Sequence, residues 1–171
     1  MINYFKNKQI GHQKGYGLSG VAGFTLVEIL IVISIIATMA TFAVTRLNPL
    51  RNKAKDTSIK ISLAALRSVA EINYDTLGNY TYICSNNKLL SAVSSTATEP
   101  LKSAQAQVVD IYNKISKQTS GDITCNTGVG VYAVSVPLLF ADDKSFCIDS
   151  NGFSDETSVE LGDETECKLA N

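Results

Sequence analysis

The chain has 171 residues and a formal net charge of −1, with 45% hydrophobic and 18% charged residues. This length is sufficient for one domain with its own core and an appended segment, and the near-neutral charge argues against bulk attraction to nucleic acid or anionic lipid. The charge is uneven, however, because residues 1–23 hold three lysines and no acid, whereas the remainder holds 12 basic and 16 acidic residues, a net charge of −4. A basic N-terminus, an apolar run and an acidic body are typical of an exported or membrane-inserted protein.

The apolar run, GFTLVEILIVISIIATMATFAV, occupies residues 23–44, and Glu28 is its sole charged residue. As a helix, its last 21 residues would rise about 31 Å, close to the hydrocarbon thickness of a bilayer. Three interpretations compete: a cleaved secretory signal, a plain transmembrane anchor, and a segment whose acid gains a partner only after processing. A secretory signal has a shorter apolar core, and a carboxylate would hinder it. A plain membrane anchor also leaves Glu28 unexplained, because a lone charge in a membrane helix is costly.

The hexapeptide GFTLVE at residues 23–28, preceded by a basic leader and followed by about twenty apolar residues, resembles the type III signal of type IV pilins and related pseudopilins. The resemblance implies that a dedicated membrane peptidase cuts between Gly23 and Phe24 and methylates the new amino terminus. Residues 1–23 would then be a removed leader. Glu28 would be the fifth residue of the mature chain, where the family has its glutamate.

The physical chemistry of the segment agrees with this implied processing. Cleavage creates a charged amine at Phe24, and pairing it with Glu28 of a neighbouring subunit offsets part of the desolvation cost of both groups. An acid in the first turns of a helix is also favoured by the helix dipole. Glu28 would therefore fix the axial register of subunits in a filament.

The other residues of the run suit a bundle of apolar helices. Small side chains allow close approach of two backbones, and hydroxyl groups can donate to carbonyls one turn back, so that they need no outside partner. The small residues are Ala37, Ala40 and Ala43, and the hydroxyl residues are Ser34, Thr38, Thr41 and Thr45.

Beyond the run, the pattern predicts a kink or local melting at Pro49 and then renewed helix. Arg51, Lys53, Lys55 and Asp56 would mark emergence from lipid as a solvated face. Two adjacent apolar stripes predict a broad apolar face on a helix from about Phe24 to about Tyr74 that ends near Gly78. The stripes are Ile59, Leu63, Leu66 and Ala70, and Ile61, Ala65, Val69 and Ile72.

Residues 79–99 are rich in Ser, Thr and Asn and predict an irregular loop with short ordered pieces. A second amphipathic helix should follow, with Thr98 as its cap and Pro100 in its first turn. It should run to about Gln118, before Gly121. Its expected buried positions, spaced by three and four residues, are Leu101, Ala104, Val108, Ile111 and Ile115.

From Ile123 onward the pattern has period 2. Residues 128–139, GVGVYAVSVPLL, predict a strand, and residues 144–156 predict a hairpin with an Asn-Gly turn. We therefore expect an α+β protein in which a small antiparallel sheet packs on the second half of the long helix, as the resemblance to pilins also implies. The expected divisions are a leader (1–23), a membrane or filament-core helix (24–47), the second half of the helix (48–77) and a globular head (78–171).

Four cysteines allow three disulfide connectivities. We expect Cys147–Cys167, because pilins characteristically close a disulfide-bound region near the C-terminus. We also expect Cys84–Cys125, which would tie the loop after the long helix to the first strand. No two cysteines have the spacing of a redox or zinc pair.

The sequence gives little support for an enzyme, a cofactor or a metal site. The sole histidine, His12, lies in the expected leader, so the mature chain would lack histidine and the triads that depend on it. The acidic turn DSNGFSDE at residues 149–156 lacks the spacing of a calcium loop, and Asp142, Asp143 and residues 163–166 are expected to be solvated. The tyrosines indicate core or interface packing rather than a nucleic-acid site. They are Tyr74, Tyr80, Tyr82, Tyr112 and Tyr132.

The resemblance thus predicts a structural subunit, inserted in the bacterial inner membrane by one span and then polymerised into an extracellular type IV pilus. Its partners would be other copies of the chain, a prepilin peptidase and methyltransferase, and an inner-membrane assembly machinery. Adhesion, twitching motility and DNA uptake are roles that the family has. Two alternatives stay open: a pseudopilin of a type II secretion system, and a single-pass anchored extracytoplasmic binding module.

Overall fold

The computed structural model describes residues 23–141 and 143–169. The expected leader up to residue 22, with His12, and the surface residue Asp142 lie outside this described part. The chain divides into two compact units, one ending at Ala43 and one beginning at Val44. Each unit is described by itself.

Helix α1 spans Leu26–Leu77. It stays helical through Pro49, so the local melting that we expected there does not occur. A single proline removes one backbone hydrogen bond, and the turns on either side keep theirs. The predicted end is confirmed. Gly78 adopts a φ of 69°, and its amide donates to the Tyr74 carbonyl at 2.7 Å, which closes the helix in a left-handed cap.

The second unit carries one antiparallel sheet of six strands that follow one another in chain order. A second helix, α2, lies between the second and third strands and spans Leu101–Ser116. The strands are β1 (Cys84–Ser85), β2 (Lys88–Leu89), β3 (Thr124–Gly128), β4 (Val131–Pro137), β5 (Ser145–Asp149) and β6 (Ser154–Thr157). The expected α+β architecture is confirmed.

Two hairpins form the centre of this sheet. The Asn-Gly hairpin is confirmed, with Gly152 at a φ of 104° between β5 and β6. The single strand predicted for residues 128–139 is wrong at its start, because Gly128 ends β3 and residues 129–130 form the turn to β4. Gly130 has a φ of 69°, which favours glycine, and Val129 is fully exposed at the tip. The pair of glycines around this valine was the overlooked turn signal.

Helix α2 begins differently from the prediction. Pro100 occupies the N-cap position and no side chain caps it, so the expected capping by the Thr98 hydroxyl is wrong. The Glu99 carboxylate accepts a hydrogen bond from the Ser103 amide at 3.3 Å. A carboxylate at the N-terminus of a helix is favoured by the unpaired amides and the helix dipole. The Glu99 carboxylate therefore takes the role that we expected of the Thr98 hydroxyl.

The core of the second unit lies between α1, α2 and one face of the sheet. The first α1 stripe is fully buried in it, as predicted, but Ile61 and Ile72 of the second stripe are 66% and 68% exposed. The prediction of one broad face is therefore wrong. Two positions along a helix correspond to a rotation of about 200°, so Ile61 points away from its neighbours Ile59 and Leu63. Core residues from the other elements are Ala104, Val108, Ile115, Tyr132, Val134 and Ile148.

Candidate processing and assembly segment

Thr25 and Glu28 form a reciprocal cap at the start of α1. The Glu28 carboxylate accepts hydrogen bonds from the Thr25 amide at 2.8 Å and from the Thr25 hydroxyl at 2.9 Å. The Glu28 amide in turn donates to the Thr25 hydroxyl oxygen at 3.2 Å. This arrangement is a capping box, in which a hydroxyl residue and an acid three positions later satisfy amides that the helix leaves free.

The bond between Gly23 and Phe24 lies at an open position. Both residues are exposed, and Phe24 is 81% exposed. A Cβ atom added to Gly23 would meet no atom within 4 Å. Among the described residues, none crowds this bond.

The large apolar side chains in the first part of α1 are exposed. From Phe24 to Val44, large apolar side chains are between 49% and 81% exposed. By length and composition, α1 is the one described helix that is able to cross a membrane. Apolar area on this scale marks a surface that lipid or other helices cover.

The hydroxyl groups within this apolar stretch are satisfied locally. Ser34, Thr38 and Thr41 each donate to a carbonyl three or four residues earlier, at 2.7 to 3.0 Å. A polar group that keeps such a bond avoids most of the cost of burial in an apolar environment. The stretch thus combines an apolar exterior with hydroxyls that need no partner from outside the helix.

In the second unit, a buried acid holds the β4–β5 loop against α1. Asp56 is 5% exposed, and its two carboxylate oxygens accept the Leu139 amide at 2.7 Å and the Phe140 amide at 2.9 Å. Asp56 was expected on a solvated face, and that prediction is wrong. Its negative charge is stabilised by two backbone donors, which makes burial tolerable.

Both disulfides expected from the sequence are present. Cys84 is bonded to Cys125 across 41 positions of the chain, and Cys147 to Cys167 across 20 positions. The first joins β1 to β3, and the second holds the C-terminal segment against β5. The described part of the chain contains no free cysteine.

Asp149 organises the segment that the second disulfide closes. It is 2% exposed, and its carboxylate accepts the amides of Asn151 at 3.0 Å, Phe153 at 2.9 Å and Cys167 at 3.0 Å. Arg67 of α1 donates to the Asp149 carbonyl at 2.9 Å. The carboxylate is thus occupied by backbone donors. No group of three acidic, histidine or cysteine side chains is arranged for a metal in residues 23–141 and 143–169.

An ion-pair network joins the outermost strand to α1. The carboxylate of Glu156 lies 2.6 Å from the Lys60 ammonium and 3.6 Å from that of Lys144. The hydrogen bond from Lys60 and the two positive charges hold the pKa of Glu156 below its usual range. Strand β6 is therefore fixed beside α1 at the level of Lys60.

Aromatic residues pack where α1 meets the sheet, as the sequence indicated. The rings of Tyr74 and Tyr80 stack with centroids 4.5 Å apart, and those of Tyr80 and Tyr132 lie 4.7 Å apart in a tilted arrangement. Burial, with a hydrogen bond to Glu71, raises the pKa of Tyr80 to about 12. Tyr80 is therefore neutral at physiological pH and serves as a packing element between its two neighbours.

The residues singled out in the sequence thus separate into two groups. Gly23, Phe24 and Glu28 lie together at the exposed start of α1, whereas the four cysteines lie in the second unit. Sequence reasoning missed Thr25 as the partner of Glu28, although the spacing of a hydroxyl residue and an acid three positions later is a known helix-start signal. It also missed the roles of Asp56 and Asp149, and the nearby Asn-Gly turn was a clue to Asp149 alone.

The model of one protein family, described as the prokaryotic N-terminal methylation motif, matches residues 12–44. The match covers about a fifth of the chain and ends before the second half of α1. No curated protein and no solved structure matches the chain significantly. The motif is the prepilin-type signature, and it supports a precursor of the type IV pilin or pseudopilin kind.

Proposed function

We propose that this chain is the precursor of a type IV pilus subunit, which is cut, methylated, held in the inner membrane and then polymerised into an extracellular filament. The observation that carries this proposal is the methylation motif at residues 12–44, which ends in a long exposed apolar stretch. Such proteins are structural rather than enzymatic.

Processing is the first step of the proposed function. A prepilin peptidase removes residues 1–23 by cutting the exposed bond between Gly23 and Phe24, and the new amine of Phe24 is methylated. Residues 24–47 then anchor the subunit in the membrane, residues 48–77 carry on the helix and residues 78–171 form the head. The exposed apolar area of α1 supports the anchor, because it needs lipid or other helices to cover it.

Glu28 acts in the second step, when subunits assemble. Within the described residues its carboxylate is held by Thr25, through two hydrogen bonds at the helix start. The methylated amine of Phe24 from a neighbouring copy is a cation that this carboxylate can bind in a low-dielectric surrounding. The pair gives each new subunit a defined axial position while the apolar helices bundle and an inner-membrane machinery supplies the movement.

The N-terminal residue is the most informative target for a test. We expect mass spectrometry of the protein sheared from intact cells, and of the membrane fraction, to find N-methylated Phe24 in both. Electron microscopy of the sheared fraction should show filaments. A different N-terminus, or an unmethylated one in the filament, would remove the basis of the proposal. The adhesive, motile or DNA-uptake role is then assigned from the behaviour of a deletion strain.

A pseudopilin of a type II secretion system is the second candidate, because the methylation motif is shared by both classes. The two are separated by the phenotype of a deletion strain. Loss of surface filaments with unchanged protein secretion supports the pilus subunit, whereas retention of secretory cargo in the periplasm supports the pseudopilin. The remaining alternative is a single-pass binding module. In that case the deletion strain should keep both filaments and protein secretion, and the N-terminus should not be methylated.

A further inference from the structure

Two cations on α1 stand without an anionic partner. Arg51 and Lys55 are one helical turn apart, both are exposed, and neither makes an ion pair within residues 23–141 and 143–169. Lys53 differs, because its ammonium lies over the Phe140 ring at 6.0 Å. Like charges four positions apart destabilise a helix, so Arg51 and Lys55 form a cationic pair that an external anion would stabilise.

The same unit presents a strongly acidic edge. Residues 155–166 hold six carboxylates and no basic residue. Glu156 is paired with Lys60 and Glu164 with Lys168, but Asp155 and Glu160 are exposed and make no ion pair in the described part of the chain. We call Asp155 and Glu160 the acidic pair. The described part of the chain thus carries a cationic pair and an acidic pair, and neither has a counterion among the residues that the structure describes.

The contact between Lys60 and Glu156 shows at which level along α1 the acidic edge lies, and so how it can meet the cationic pair of a second copy. It fixes β6 beside α1 at the level of Lys60. Lys55 and Arg51 lie five and nine positions before Lys60, about 8 and 14 Å along the helix axis. A second copy displaced by about this distance along the axis would bring its own β6 level with the cationic pair. The charge pattern is therefore complementary for staggered copies of the chain.

We propose that the acidic pair of one copy contacts the cationic pair of a neighbouring copy, forming a polar interface between staggered subunits. This inference rests on the proposed function, since it places the contact in the filament. Single exposed ion pairs are weak and are screened by salt, but the interface recurs at every subunit. The polar interface favours one axial displacement between neighbouring subunits, in addition to the apolar attraction between their helices. A wrong displacement would place like charges opposite each other.

Charge exchange in the full-length chain tests this contact. One variant carries Arg51→Glu and Lys55→Glu, a second carries Asp155→Lys and Glu160→Lys, and a third carries all four changes. We expect each two-site reversal to lower the filament protein sheared from cells about tenfold, because like charges then face each other. The four-site variant restores the attraction and should recover most of the filaments.

Reversal of Lys102 in α2 and Lys117 directly after it, two exposed lysines, provides the matched control and should leave filament yield unchanged. Processed N-termini and non-reducing gel mobility show whether each variant is matured and oxidised. If a charge-reversal variant fails these checks, the neutral variant with Arg51→Gln and Lys55→Gln is used in its place. That neutral variant should give filaments whose yield no longer falls as salt is raised.

Three results would overturn the inference. The first is an undiminished filament yield in both two-site variants. The second is a four-site variant whose filament yield is no higher than that of either two-site variant. The third is a neutral variant whose filament yield depends on salt as strongly as that of the unaltered chain. Flotation of the processed protein with vesicles containing an anionic lipid identifies the competing partner. If the cationic reversal alone weakens flotation and filament yield, the cationic pair binds lipid headgroups and not a second copy. Absence of filaments from the unaltered chain would instead contradict the proposed function itself.

Discussion

Glu28 and Asp149 are both carboxylates with hydrogen-bond partners in the chain, but their surroundings differ. Asp149 is buried, and three backbone amides from two parts of the chain donate to it. Glu28 is exposed, and its partner in the described chain is Thr25, three positions away. A carboxylate enclosed by donors from its own fold serves stability, whereas one held only by a local cap stays accessible to a second molecule.

The two units show the same contrast between residues held inside the fold and residues left accessible. The second unit has a buried core, two disulfides and an acid beneath its β4–β5 loop. The described part of the first unit is an apolar helix with its large side chains exposed. Substitutions in the first unit should therefore act on assembly, and those of buried residues in the second unit on the free energy of unfolding.

The largest effect is expected for Glu28→Ala. The variant should still be processed and retained in the membrane, because its apolar span is intact, but the sheared filament fraction should fall by more than about tenfold. Immunoblots of membrane and sheared fractions measure both. Asp110→Ala removes an exposed acid from α2 and is the matched control. Undiminished filaments in the Glu28 variant would refute its role in register.

Replacing both cysteines of one disulfide by serine should produce the next largest effect, now on the fold. From loop length, loss of the Cys84–Cys125 bond should lower the free energy of unfolding by about 4 kcal/mol, and loss of the Cys147–Cys167 bond by about 3 kcal/mol. Urea denaturation of the processed chain in detergent measures both values. A clear reversal of this order would show that loop entropy does not govern these bonds.

The comparison of the carboxylates is tested directly by Asp149→Ala. Three amides would lose their acceptor in a buried place, so the free energy of unfolding should fall by about 3 kcal/mol. Asp155→Ala, a nearby exposed position, should change it by less than about 0.5 kcal/mol. Equal effects at the two positions, measured by the same denaturation, would contradict the assignment of Asp149 as an internal support.

The smallest effect should come from the ion pair on β6. The pKa of Glu156 is lowered in the folded state, so its contribution is present above the unfolded pKa and is lost as pH falls through the folded pKa. We expect Glu156→Gln to cost less than about 1 kcal/mol at pH 7 and a smaller amount at pH 3. Urea midpoints at the two pH values provide the measurement, and a pH-independent cost would exclude the pair with Lys60 as its source.

Local signals in the sequence predicted several elements well. The end of α1 at Gly78 and the Asn-Gly hairpin follow from backbone conformations that glycine adopts easily. The buried positions of α2 follow from their spacing. Glu28 was also identifiable as a special residue, because an acid at the start of an apolar run conflicts with simple membrane insertion.

The remaining features depend on contacts between distant parts of the chain. Asp56 lies among basic residues and resembles a solvated acid until the β4–β5 loop, more than 80 positions later, brings two amides to it. Asp149 likewise gains its third donor from Cys167. The outward direction of Ile61 required the orientation of the helix against the sheet, which apolar spacing alone left open.

The C-terminal segment is held chiefly through its backbone. The Asn126 side chain donates to the carbonyls of Gly162 and Glu164, and the Lys168 carbonyl accepts the Thr157 hydroxyl. Such bonds do not depend on which side chains residues 158–166 carry outward. Mutation can therefore alter the outer surface of this segment with little effect on its path, which gives the protein a region where sequence can diversify while the fold is inherited unchanged.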